Sequence, residues 1–149
     1  RIQKFDNVIQ INSLGKFFGL AGVRLGFVSG PSDFIKSVRG MLGPWPVSSI
    51  AAEIGKIALN DKTWISQMEK ILLEGSNVLH RACNTKNWKL IGKTNLFHTY
   101  ATSSSLEVEK QFAAHYIWIR TFDYSETWVR LGIPTSKYEW TRVRQALNQ

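Results

Sequence analysis

"SLGKFFGLAGVRLGF", residues 13–27, sets two cations, Lys16 and Arg24, among apolar side chains. The stretch reads as buried. Burying one cation without a partner is costly, and burying two like charges is worse. Such a segment therefore calls for an anionic ligand, or for a lysine that reacts. Gly19, Gly22 and Gly26 follow the lysine, and glycine lets backbone approach a ligand closely or take positive φ.

Bulk properties narrow the options. At 149 residues the chain suits one domain, or one domain with a small satellite. Hydrophobic content of 44% with 20% charged residues predicts a globular protein. The net charge of +8 suits an anionic ligand, although a solvated basic surface is the default explanation. Cys83 stands alone, which excludes a disulfide framework and a cysteine-based metal site. His80, His98 and His115 lack metal-ligand spacing, so no metal is expected. No apolar run approaches a membrane span and no signal peptide precedes the first strand pattern, so a cytoplasmic protein without a membrane partner is expected. The chain opens without methionine, close to its first strong motif, as a piece of something longer would.

The elements alternate as in an α/β protein. "NVIQIN" (7–12) reads as a strand running into a polar turn at Ser13, and "VRLGFVSG" (23–30) as the next strand. "SDFIKSVRGML" (32–42) follows Pro31 as a helix with Phe34, Ile35 and Val38 on one face. Two prolines make "GPWPV" (43–47) a rigid turn. Ser48 or Ser49 then caps a helix over "IAAEIGKIALN" (50–60). Trp64, Met68, Ile71, Leu72 and Val78 recur at helical spacing in "KTWISQMEKILLEGSNVLHRAC" (62–83). Beyond it come a strand "TNLFHTYA" (94–101), a helix "LEVEKQFAAHY" (106–116), neighbouring strands "YIWIRTF" (116–122) and "TWVRLGI" (127–133), and a terminal helix (136–149).

Competing motifs are weaker. "IGKT" (91–94) ends like a phosphate-binding loop, but Asn87 stands where that loop needs glycine, so a loop before a strand is expected. Six tryptophans among basic residues would suit nucleic acid. They fall mostly at apolar helix and strand positions, which predicts core packing and no nucleic-acid partner. The opening stretch is what remains. A lysine whose ammonium is disfavoured by burial and a nearby cation becomes a nucleophile toward carbonyls. Ser13 and Arg24 suit a phosphate, the arginine by its planar fork. A carbonyl and a phosphate on one ligand describe pyridoxal 5′-phosphate.

The same stretch resembles the cofactor-lysine segment of the class I/II pyridoxal-phosphate-dependent aminotransferases, in the branch that holds histidinol-phosphate aminotransferases and threonine-phosphate decarboxylases. The resemblance implies the C-terminal half of the type I fold. That comprises the end of the cofactor-binding large domain (1–60), a linking helix (61–83) and a small C-terminal α/β domain (84–149). It implies that Lys16 forms the Schiff base with the cofactor and that Ser13 and Arg24 hold its phosphate. Gly15 departs from many relatives, whose serine there adds a hydroxyl near the phosphate. "PWPVSSIAAEIGKIALND" (44–61) is similar to the family's next turn and helix, and "YIWIRTFDYSETWVRLGIP" (116–134) to its closing strands. There Arg130 matches the arginine that grips the substrate α-carboxylate. Arg120 matches a position that can approach a distal phosphate, or is a strand-end surface arginine.

The ending around "WVRLGIP" is most similar to threonine-phosphate decarboxylases, implying conversion of O-phospho-L-threonine to aminopropanol phosphate in cobalamin biosynthesis. An aminotransferase of the histidinol-phosphate type uses the same residues, and an inactive fragment or degenerate relative is the third alternative. The resemblance also implies a small phosphorylated amino acid as substrate and a homodimer as the full-length form. It places the remaining cofactor contacts in the family's other half.

Overall fold

The computed structural model describes residues 7–148. The first six residues of the expected 1–60 segment, and Gln149 of the expected last helix, lie outside the described residues. The chain divides into two compact units, one through Lys62 and the other from Thr63.

In the first unit, β1 (Gln10–Ser13) and β2 (Gly26–Ser29) form an antiparallel ribbon with Ser13 opposite Gly26. Both strands are shorter than their apolar patterns suggest. Ala21–Val23 form a 3₁₀ turn, and Arg24 takes the left-handed conformation with φ of 58°, which no strand can continue through. Helix α1 (Ser32–Leu42) follows Pro31. Helix α2 (Ser49–Asn60) is capped by Ser48, whose Oγ accepts from the Ala51 amide at 3.1 Å. The cap satisfies one of the amides a helix start leaves unpaired.

The buried residues of this unit converge on the loop between the strands. Leu14 and Leu25 close it from inside, with Ala51 and Gly55 of α2 buried beside them. The Leu14 amide donates to the Leu25 carbonyl at 3.3 Å, and the Leu20 amide to the Leu14 carbonyl at 3.0 Å. A side chain at Gly55 would run into Leu25, so glycine is what lets α2 approach the loop.

The second unit is a four-stranded antiparallel sheet in the order β3-β4-β6-β5: β3 (Lys89–Lys93), β4 (Phe97–Ala101), β5 (Arg120–Phe122) and β6 (Ser125–Gly132). Helices α3 (Lys62–Asn84), α4 (Ser105–Ala113) and α5 (Lys137–Leu147) supply the rest of its core. Strand alternation sorts the faces. His98 and Tyr100 of β4 and Val129 and Leu131 of β6 join Leu79, Cys83, Val108, Phe112, Val143, Ala146 and Leu147 in the buried face. Phe97, Thr99, Ala101, Trp128, Arg130, Arg120 and Phe122 fall on the other face and are half-buried or exposed. Helix α5 begins with a capping box, Ser136 accepting from the Glu139 amide and Glu139 from the Ser136 amide.

Two local expectations are corrected. Ile91–Lys93 of "IGKT" are not a loop but the end of β3, because Lys89 and Lys93 pair with Ala101 and His98, with the irregularity absorbed between Leu90 and Gly92. The tryptophans follow the core-packing expectation only in part: Trp88 and Trp140 are half-buried and pack against the core, but none of the six is fully buried. Trp45, in the two-proline turn, and Trp118, ahead of β5, are each 91% exposed.

Candidate active site

The residues singled out in sequence fall into two sets, one in each unit. In the first, Ser13 ends β1, Lys16 lies in the turn that follows, and Arg24 stands two residues before β2. Ser13 Oγ accepts from the Gly15 amide at 3.0 Å, and Arg24 Nη1 donates to the Ala21 carbonyl at 3.1 Å. The Lys16 ammonium makes no hydrogen bond or ion pair among the described residues. A Cβ at Gly15 would lie 3.2 Å from Ser13 Oγ, so the substituted position faces the serine hydroxyl directly.

One premise is corrected. Lys16, Arg24 and Ser13 are all exposed, and within the stretch only Leu14 and Leu25 are buried. A two-stranded ribbon has too few residues to bury its own faces. The apolar pattern marks the loop's two leucine anchors, not an enclosed pair of charges. A hydroxyl, an ammonium and a guanidinium on one loop, with no carboxylate paired to either cation among the described residues, still form a donor set suited to phosphate. Residues of this kind fit pyridoxal phosphate: Ser13 and Arg24 for its phosphate, Lys16 for its aldehyde.

In the second unit the structure brings Arg120 and Arg130 together. They stand directly opposite one another across β5 and β6, and Thr99 stands opposite Arg130 on the other side. Opposed residues on adjacent strands share a face with Cβ atoms about 5 Å apart. Like charges in that position repel unless an anion joins them, and neither arginine has a carboxylate partner among the described residues. Aromatic rings take that place. The Arg130 guanidinium carbon lies 4.6 Å from the Phe97 ring centre and 5.9 Å from that of Phe122. The Arg120 guanidinium lies 5.6 Å from Phe122. The sequence reading missed these phenylalanines. The signal was present: period-two alternation sets Phe97 with Thr99, and Arg120 with Phe122, on one face.

A buried polar cluster was missed as well. On the core side, His98 Nε2 lies 2.8 Å from Ser76 Oγ and His98 Nδ1 2.9 Å from the Tyr100 hydroxyl, which is 3.3 Å from His80 Nδ1. Ser76 and His80 belong to α3, so the cluster ties that helix to β4. Burial, aided by Lys93 and His80, lowers the His98 pKa to about 4 and keeps the ring neutral. Burial also raises Tyr100 and pushes the Cys83 thiol up to about 12. Ser76, His98 and Tyr100 are closed to solvent, which makes the cluster structural and not catalytic. Among the described residues no three His, Cys, Asp or Glu side chains gather to hold a metal ion.

The family model described as aminotransferase class I and II matches residues 1–147, and the chain belongs to that family. It is 34% identical over 141 residues to a threonine-phosphate decarboxylase of Sinorhizobium sp, a match covering 95% of this chain and 42% of that one. A histidinol-phosphate aminotransferase of Clostridium novyi is 26% identical over 122 residues, covering 81% and 34%. The structure superposes on histidinol-phosphate aminotransferase from Sinorhizobium meliloti in complex with pyridoxal-5′-phosphate with a TM-score of 0.74 at 18% identity, covering 95% of this chain and 40% of that one. The α/β fold is that of the type I aminotransferases, and the chain spans about two fifths or less of the length of these relatives. Among the described residues no helix is long and apolar enough to cross a membrane.

Proposed function

We propose that this chain works within a pyridoxal-phosphate-dependent decarboxylase acting on O-phospho-L-threonine, the full-length form being a homodimer. The observation that carries the reading is the Arg120–Arg130 pair, opposed on one sheet face without acidic partners among the described residues. A substrate with both a carboxylate and a phosphate provides two anions for two guanidinium groups. The 34% identity to a threonine-phosphate decarboxylase over 95% of this chain supports the same choice.

When bound, pyridoxal phosphate supplies an aldehyde for amines and a ring that withdraws electrons from the substrate Cα. Ser13 and Arg24 would hold its phosphate, the guanidinium as a charge-assisted donor and the hydroxyl as a second one. The Lys16 side-chain nitrogen would hold the aldehyde, and as an amine it would be placed to give or take a proton at Cα. Arg130 pairs with the α-carboxylate, fixing which Cα bond is oriented for cleavage. Arg120 takes the distal phosphate.

The second reading, a histidinol-phosphate-type aminotransferase, is favoured by the Clostridium novyi relative and uses the same residues. Turnover separates the two. Full-length protein with pyridoxal phosphate should release carbon dioxide from O-phospho-L-threonine without 2-oxoglutarate. Strict dependence on an oxo acid, with histidinol phosphate consumed, would assign it to the aminotransferases.

A further inference from the structure

We infer that Phe97 and Phe122 are positioning residues that hold the Arg120 and Arg130 guanidinium groups apart, making this sheet face selective for ligands with two anionic groups. The inference rests on the proposed role of the arginine pair and adds what sets its spacing.

Two arginines opposed across a strand pair would splay toward solvent to escape each other. Here each has a ring to lie against. Phe97 is diagonal to Arg130 across β4 and β6; its direct partner is Gly132, which has no side chain, so the ring can lean toward the guanidinium. Phe122 lies within 6 Å of both cations. Ring faces attract cations through their quadrupole, most effectively when partly shielded from water. Phe97 thus lies against Arg130 alone, and Phe122 lies against both cations. Phe122 is itself braced by Tyr124 at 5.2 Å and by Trp128, edge-on, at 6.4 Å, and these two contact each other at 6.1 Å. A braced spacer keeps the cations separated before any ligand arrives, so binding does not bear the cost of ordering two long side chains. A ligand with one anion engages one guanidinium and gains little from that spacing.

The test is calorimetric titration of cofactor-free full-length protein, which does not consume the ligand, with O-phospho-L-threonine and with L-threonine. Phe97→Leu and Phe122→Leu should each raise the Kd for O-phospho-L-threonine about three- to tenfold, the scale of a lost cation–ring contact and its ordering. For Phe122→Leu the preference over L-threonine should shrink, and Phe122→Tyr, which keeps a ring, should restore it. Thermal melts matching the parent would show that the loss is not one of folding. An unchanged preference in a normally melting Phe122→Leu protein overturns the inference, and so does equal loss in Phe122→Tyr. If Arg130→Ala leaves O-phospho-L-threonine binding intact, the arginine assignment itself fails and this inference with it. If Arg130→Ala weakens binding while both leucine variants bind as the parent does, only the spacing role is lost.

Discussion

Arg24 and Arg130 carry the same charge but should respond differently to removal, because the proposed function gives them different ligands. Arg24 holds a left-handed φ of 58° and stands at the far end of the loop that starts at Ser13 and contains Lys16. Non-glycine residues rarely adopt that conformation, and it persists where the surroundings dictate it. In the full-length holoenzyme, Arg24→Ala should weaken cofactor retention and make activity depend on added pyridoxal phosphate. Arg130→Ala should leave the bound cofactor's absorbance intact while lowering kcat/KM by roughly thirty- to a thousandfold, the scale of a lost charge-assisted bidentate pair. An Arg130→Ala enzyme with parental kinetics would remove that residue from the site. For Lys16, borohydride reduction of the holoenzyme should leave pyridoxyl on that residue, and labelling spread over other lysines would refute the assignment. The sequence singles out these residue types because phosphate and carbonyl chemistry restrict which side chains can serve. Their burial was not legible, since apolar neighbours such as Phe17 and Leu20 say nothing about which face is covered.

At the scale of elements, helix α2 and helix α3 each depend on one close fit. Gly55 brings α2 against Leu25 and Leu14, the residues that close the Lys16 loop. Gly55→Ala gains about 1 kcal/mol of helix propensity but overpacks a filled site, which costs about 1–3 kcal/mol. A net loss of about 1 kcal/mol in urea unfolding, with weaker cofactor retention, is expected, and a stabilised variant would show that the loop gives way freely. The second fit is the Ser76–His98–Tyr100–His80 cluster between α3 and β4. His98 titrates near 4 in the fold against 6.5 when unperturbed, so the unfolded chain binds the extra proton between those values. The neutral ring's contribution is complete above about pH 6.5 and is lost as pH falls toward 4, with a slope of at most about 1.4 kcal/mol per pH unit. Urea unfolding followed across that range should show the decline, and His98→Asn should flatten it. Helices α1, α2 and α3 were legible because their apolar residues recur near 3.6 residues over ten or more positions. Strand β3 was hidden, because "KLIGK" is five residues long, mostly exposed and interrupted by Gly92.

For the whole molecule, the two units differ in how much interior each possesses. Among the described residues, the first buries Leu14 and Leu25 with Ala51 and Gly55, while Ile11, Met41, Ile50 and Ile57 stay largely exposed. The second closes a continuous core from α3, α4, α5 and both middle strands. Stability follows apolar burial and is not uniform along a chain. In the 149-residue polypeptide studied alone, the amides of β4 and β6 should therefore exchange slowest with deuterium, and those of β1 and β2 markedly faster. Cys83 gives an independent reading. It is the chain's single cysteine, fully buried on α3, with its thiol held protonated by burial up to about pH 12. A disulfide reagent reaches it only when the second unit opens, because the thiolate is the attacking species. Its modification should thus proceed no faster than the slowest amides of β4 and β6 allow, and should accelerate in urea only where those amides lose protection. Modification at the rate of a free thiol in native buffer, or equal protection of the β1–β2 and β4–β6 amides, would show that the second core does not hold by itself.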